Sequence, residues 1–436
     1  MTKCTPSSIQ FPGCRGRKVE AEFTGGDITS DAGVLLLREA DRALKLTKRI
    51  AQSLAEPRRK RSCLHSLPSL LRQRVFGLAL GYEDLNDHET LRFDPAFQTA
   101  LGRDEPLAGK STLCRFENQA DRQSMWAISS ALVDVFIESF KSPPKELILD
   151  FDSTDDVVHG KQDGRFFHGY YDNYCFLPLY VFCGNHLLAA YLRPSKINNA
   201  KHAWAILSLL VKRIRQSWPS VRIIFRSDSG FCRWKMLRWC DRNNVGYVVG
   251  LAKNTRLLHM AKEQIDAASV SFKQSGLKQK LFGEVRYAAA SWERERRVIV
   301  KAEHTAKGSN PRFVVTNLFC NPENMYTTYC ARGEMENRIK EQQLYLYSDR
   351  TSCHKWWANQ FRVLLSGIAY TLLEAIRRLG LVGTQYSQSR CDTIRLKLLK
   401  IGGVIVRNTR RVRFYLSSAY PYKKLFQTVL LKLMPT

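Results

Sequence analysis

The stretch at 147–156 reads "LILDFDSTDD", an apolar run that passes directly into Asp150, Asp152, Asp155 and Asp156, four aspartates within seven residues. Leu147–Asp152 has the pattern of a buried strand. Alternate residues of a strand share a face, so Asp150 and Asp152 point the same way. Two ionised carboxylates cannot be buried unpaired; they neutralise or find a cation. A divalent ion is one such cation, and hard oxygen ligands suit Mg²⁺ or Mn²⁺. The plainer alternative is a strand end emerging into solvent, with Asp155 and Asp156 in a turn.

Acid is scarce in this chain. Its 436 residues carry 68 Lys and Arg against 40 Asp and Glu, a formal charge of +28, with 44% hydrophobic residues. That is a globular composition whose charge surplus points to a polyanion, nucleic acid first; a solvated basic surface is the bland alternative. The twelve cysteines include no C-x-x-C, which argues against a zinc ribbon or a redox pair. The N-terminus lacks the apolar core of a signal peptide. The longest uncharged apolar run, Val363 to Leu373, is too short to span a bilayer. The expectation is a soluble, cytoplasmic protein with no membrane partner.

Outward from the acidic stretch, the chain divides into five segments. Residues 1–140 read as short helices joined by polar loops, a helical DNA-binding or assembly region, with a basic cluster at Arg58, Arg59, Lys60 and Arg61. Residues 145–254 hold strand candidates at Leu147–Asp152, Tyr174–Phe182 and His186–Leu192. A helix follows with Trp204, Leu207, Val211, Ile214 and Trp218 on one apolar face. Then come the strand "VRIIFRSD", the helix "FCRWKMLRWCDRN" and the strand "VGYVVGL". The order β-β-β-α-β-α-β is that of ribonuclease-H-like α/β folds with a mixed sheet. Residues 255–325 read as a separate, β-rich insertion, with strands at "EVRYAAASW", "RRVIVKAEH" and "RFVVTNL". Helical pattern resumes over 326–380. The basic C-terminal region 381–436 includes Arg410, Arg411 and Arg413, and residues 390–424 hold ten Lys and Arg against one acid.

Two further motifs carry acid. "RSDSGF" (226–231) ends the fourth strand at Asp228, next to the first strand in a ribonuclease-H-like sheet; an Asx turn is the alternative reading. In "YCARGEMENRIKEQQ" (329–343), helical geometry puts Tyr329, Arg332, Glu336 and Gln343 on a stripe about 60° wide. Glu could hold metal while Arg and Tyr grip phosphate oxygens. A solvated helix with i,i+4 pairs such as Glu334–Arg338 is the alternative. His159 and His168 flank a loop, open to substrate or simply to solvent.

The order "DST", "SDSG" and Tyr-x2-Arg-x3-Glu resembles the DDE transposases of bacterial insertion sequences. It is most similar to the group with a Tyr-Arg-Glu-Lys signature and a β insertion before the glutamate. "DGRFFHGYYDNYCFLPLYVFCGNHLLAA", "STLCRFEN" and "WWANQFRVLLSGIAY" extend the similarity from about residue 20 to about residue 420. The resemblance implies Asp152, Asp228 and Glu336 as a catalytic triad holding two divalent ions, Mg²⁺ or Mn²⁺. Tyr329, Arg332 and the basic clusters at 58–61 and 410–413 become DNA contacts. It further implies cleavage and strand transfer on double-stranded DNA with terminal inverted repeats, a homodimer in a synaptic complex, and a place at the bacterial nucleoid. The signature's lysine falls on Gln343, and Lys340 is a turn short of it. A metal-dependent nuclease without strand transfer and a non-catalytic nucleic-acid-binding protein are the alternatives.

Overall fold

In a computed structural model, residues 8–59 and 63–434 are described. They form two compact units: residues 8–43, 58–59, 63–114 and 375–434 make one, and Leu44–Pro57 with Arg115–Glu374 make the other.

The second unit is built on a mixed sheet. Its core strands are β1 (Glu146–Ser153), β2 (Leu179–Cys183), β3 (His186–Tyr191), β4 (Arg222–Ser227) and β5 (Gly246–Leu251). β1, β2 and β3 form an antiparallel meander; β4 pairs parallel to both β1 and β5. The spatial order 3-2-1-4-5 is the ribonuclease-H-like arrangement. It follows from the sequence: Gly184-Asn185 supplies a tight turn between β2 and β3, whereas helices α2 (Ala203–Ser217) and α3 (Trp234–Arg242) supply the crossovers that parallel strands need.

Three differences from the sequence reading have physical causes. The strand expected over Tyr174–Phe182 is broken at Pro178, whose ring removes a ladder donor; Asn173–Phe176 pairs instead in a small separate sheet with Asp156–Val157 and Phe166–His168. Trp204 lies off the buried face of α2, half exposed, while Leu207, Val211 and Ile214 are buried. The insertion is not a separate β body. It begins with helices Thr255–Met260 and α4 (Lys262–Ser275), and its strands β6 (Gln279–Tyr287), β7 (Arg296–Thr305) and β8 (Arg312–Thr316) extend the core sheet through antiparallel β5–β8 pairing.

One sheet face packs Leu149, Phe151, Ile223, Phe225 and Val249 against α2, α3 and α1 (Arg122–Glu138), whose Val133 and Phe136 are part of that core. Helix α1 therefore belongs with the sheet, as does Leu44–Pro57, while most of segment 1–140 lies in the first unit. On the other face Ile224, Val248, Ile299 and Val314 pack Met325 of α5 (Pro322–Cys330). β1 thus turns Leu147, Leu149 and Phe151 to one side, and Asp150 and Asp152 occupy the side that α5 covers.

The first unit brings together helices Val34–Leu44, Leu67–Leu80 and Pro95–Leu101 with a small sheet of Ile28–Thr29, Gly403–Arg407 and Val412–Leu416. Lys400 pairs with buried Asp31 at 2.7 Å, and the Tyr82 hydroxyl donates to the same carboxylate at 2.6 Å. An exposed two-stranded ribbon, Ile9–Cys14 with Arg17–Ala21, precedes it, where the sequence pattern gave no strand.

Candidate active site

The ends of the parallel pair β1–β4 set the site. Their register places Asp150 opposite Arg226, two residues before Asp152 and Asp228 respectively. The Arg226 guanidinium grips Asp150 in bidentate fashion, Nε to Oδ1 at 2.5 Å and Nη2 to Oδ2 at 2.7 Å, and its Nη1 donates to the Thr328 carbonyl at 2.6 Å. One buried side chain therefore ties β1, β4 and the end of α5 together. Burial pushes the Asp150 carboxyl upward, with Arg226 and then Arg332 opposing it. Asp150 is consumed by this pair, which leaves Asp152 as the carboxylate open to other partners.

Asp152 is mostly buried, with 14% of its side chain exposed. Its Oδ1 accepts from the Ser153 amide at 2.9 Å and its Oδ2 from Arg332 Nη1 at 2.9 Å. Its pKa is pushed up to about 6 by burial; Arg332 pulls it down, while the charges of Asp228 and Glu336 push it up. Arg332 Nη2 reaches Glu336 Oε1 at 3.1 Å, so one guanidinium bridges the two acids. Asp228 opens the short turn Ser229–Phe231, and its Oδ1 accepts from the Gly230 amide at 2.9 Å. The Asx-type turn bond and the place beside Asp152 thus coexist.

Tyr329 ends α5. Burial raises its hydroxyl pKa; Arg332 opposes this and Asp228 adds to it. A Cβ on Gly250 in β5 would lie 2.6 Å from the Tyr329 hydroxyl and 2.9 Å from the Ser229 amide nitrogen. Only glycine permits β5, the Asp228 turn and Tyr329 to approach this closely.

The single helix expected over 329–343 is interrupted. α5 stops at Cys330, α6 (Gly333–Lys340) carries Glu336, and a π turn follows at Glu341–Tyr345. Tyr329, Arg332 and Glu336 share the site, whereas Gln343 turns to the segment after β1, where its amide donates to the Asp155 carbonyl at 2.9 Å. Arg338 pairs with Glu341, not with the expected partner Glu334.

The basic candidates at 58–61 and 410–413 lie in the first unit. Arg58 is half-buried and donates to the His65 carbonyl at 3.1 Å; Arg59 is exposed. Lys60 and Arg61 fall outside the described residues. Arg410, Arg411 and Arg413 are exposed on the hairpin Gly403–Arg407/Val412–Leu416, where Asn408 caps the amides of 410 and 411 at 3.0 Å each. His168 has its ring 5.0 Å from that of Tyr171.

Among the described residues, no group of three His, Cys, Asp or Glu side chains is already gathered as a metal site. The donors still fit a divalent cation in chemistry: a largely buried carboxylate has two further acids near enough to oppose its ionisation, and a guanidinium supplies positive charge between two of them. Sequence reasoning missed Arg226 and Gly250. The signal for Arg226 was present, since in parallel neighbours two residues set back equally from the strand-end aspartates come level.

The sheet order is that of a ribonuclease-H-like frame, with acids gathered where β1 and β4 end. The chain belongs to the transposase DDE domain group 1 family, whose model matches residues 11–436. Members ordinarily use a divalent metal ion. No curated protein matches the chain. A cryo-EM structure of the piggyBac transposase synaptic complex with hairpin DNA aligns over 99% of this chain and 88% of its own, at 10% identity and a TM-score of 0.41. That likeness is too distant to bear on the chemistry here.

Proposed function

We propose that this protein is a DNA transposase that cleaves and joins strands at the ends of an insertion sequence, with Asp152, Asp228 and Glu336 holding two Mg²⁺ or Mn²⁺ ions. The observation that carries the reading is the Arg332 guanidinium bridging Asp152 and Glu336 beside Asp228 at the β1 and β4 ends. When bound, such ions stabilise the charge of an in-line displacement at phosphorus.

The protein's own groups divide the remaining work. Asp150 and Arg226 keep the two strand ends and the end of α5 in register. Arg332 holds Asp152 and Glu336 and is placed to turn its planar fork onto a phosphate. The Tyr329 hydroxyl, with its pKa raised, stays a neutral hydrogen-bond donor near Asp228. Arg410, Arg411 and Arg413, with Arg58, Arg59, Lys60 and Arg61, bind duplex backbone around the terminal inverted repeats and the target, so affinity falls with salt. The working form is a homodimer on paired ends.

The test is a strand-cleavage and joining assay with purified protein, a duplex carrying the element's own ends, and Mg²⁺. Cleavage followed by joining, lost in Asp228→Asn with DNA binding kept, supports the reading. Cleavage without joining leaves a nuclease, and binding with neither activity leaves a DNA-binding protein.

A further inference from the structure

Asp156 is an acid that the mechanism above does not use. It is fully buried, and its Oδ2 has no hydrogen-bond partner. Its backbone pairs with Phe176 in the small sheet, and its Oδ1 accepts from the Gln343 amide at 3.1 Å. The same amide donates to the Asp155 carbonyl at 2.9 Å, with the Thr154 hydroxyl at 3.5 Å. Thr154, Asp155 and Asp156 are the three residues that follow the Asp152 strand. Gln343 sits in the π turn that follows the Glu336 helix, so one amide spans the chain segments leaving two carboxylates of the triad.

The π turn aims it there. A π turn shifts the helical phase by one residue, and such turns recur where a side chain has to be redirected. It is anchored on its other side, where the Ser366 hydroxyl donates to Gln342 Oε1 at 3.1 Å. Just beyond it, the buried Tyr180 hydroxyl of β2 donates to the Ser348 hydroxyl at 3.0 Å. Burial holds the Asp156 carboxyl well above the ordinary range; the Gln343 bond works against this, and the charges of Asp349 and Asp155 add to it. A buried carboxyl is tolerated only with a hydrogen-bond partner, and Gln343 supplies one.

We infer that Gln343 and Asp156 form a positioning latch that fixes the Glu336 helix against the end of the Asp152 strand and so sets the spacing of those two carboxylates. The inference rests on the metal-dependent reading above. Neither residue is a catalytic residue; both act through Asp152 and Glu336.

The test compares full-length wild type with Gln343→Ala, Asp156→Ala and Asp156→Asn. Mn²⁺ alone is titrated by calorimetry, and cleavage of end DNA gives kcat and KM separately. Loss of an outer-shell partner commonly lowers metal affinity or activity about ten- to hundredfold. Gln343→Ala and Asp156→Ala are expected to weaken Mn²⁺ binding and lower kcat within that range, with KM for DNA and the melting temperature little changed. Asp156→Asn keeps an acceptor oxygen for the Gln343 amide, and is expected to stay near wild type. Wild-type Mn²⁺ affinity and kcat in Gln343→Ala would overturn the latch alone. Equal losses in Asp156→Asn and Asp156→Ala would also overturn it. A wild type that neither binds Mn²⁺ nor cleaves overturns the functional reading and the latch with it.

Discussion

Replacing Arg226 by Met should be among the most damaging single changes in the second unit, and its size can be worked from contacts. The substitution removes the 2.5 and 2.7 Å bonds to Asp150 and the 2.6 Å bond to the Thr328 carbonyl. It strands a carboxylate whose residue is 5% exposed. Breaking a buried pair from one side costs about 3–5 kcal/mol, because the remaining charge stays desolvated without a partner. At about 2–4 °C per kcal/mol for a domain of this size, the melting temperature should fall by roughly 6–20 °C. The double variant Arg226→Met with Asp150→Asn separates pair from packing. A neutral amide needs no countercharge, so most of the loss should return, leaving about 1 kcal/mol for the unmet Thr328 carbonyl. Thermal unfolding followed by circular dichroism at neutral pH reads both. A shift below about 2 °C in the single variant, or a further loss in the double, refutes the role given to Arg226.

Two other outcomes follow from packing and charge. Gly250→Ala puts a methyl against the Tyr329 hydroxyl and the Ser229 backbone, so cleavage should fall at least about tenfold, whereas Gly283→Ala, which meets only the flexible Gln264 side chain, should leave it unchanged. Equal activity in the two would remove the reason for glycine at 250. In the first unit His88 is fully buried, with Arg74 Nη1 at 3.1 Å from Nε2 and Gln73 Nε2 at 3.3 Å from Nδ1. Burial and then Arg74 hold its pKa well below 6.5. The unfolded chain therefore takes up a proton near pH 6.5 that the folded one refuses, and stability drops as pH falls below that value, by up to about 1.4 kcal/mol per unit. Denaturant unfolding at pH 7.5 and 5.5 should show His88→Gln losing less stability on acidification than wild type; equal losses would contradict this.

The fold was legible because its signals are local. Alternating strand and helix patterns from Leu147 to Leu251 dictate a sheet with crossovers, and Asp152 and Asp228 end adjacent parallel strands of that order. What the sequence left open depends on register and long-range pairing. Asp150 and Asp152 share a face in any strand, and only the pairing of Asp150 with Arg226 separates structural acid from open acid. The insertion strands read correctly as β, but nothing local shows that Val314 and Val315 would pair with the free edge of β5 and continue the sheet. Pro178 was a readable break in a strand that apolar content alone had merged. The departure at Gln343 was visible as a missing lysine, while its bond to Asp156 required the π turn, which has no simple periodic signature.

Asp152, Asp228 and Glu336 are proposed to hold the divalent ions together. The direct measurement is anomalous diffraction at the manganese edge from crystals of the protein with Mn²⁺ and end DNA. The account predicts manganese peaks in ligand contact with all three carboxylates, with Arg332 moved off Asp152 and Glu336. Manganese bound elsewhere, or an Arg332 bridge that stays closed with the DNA in place, would contradict it.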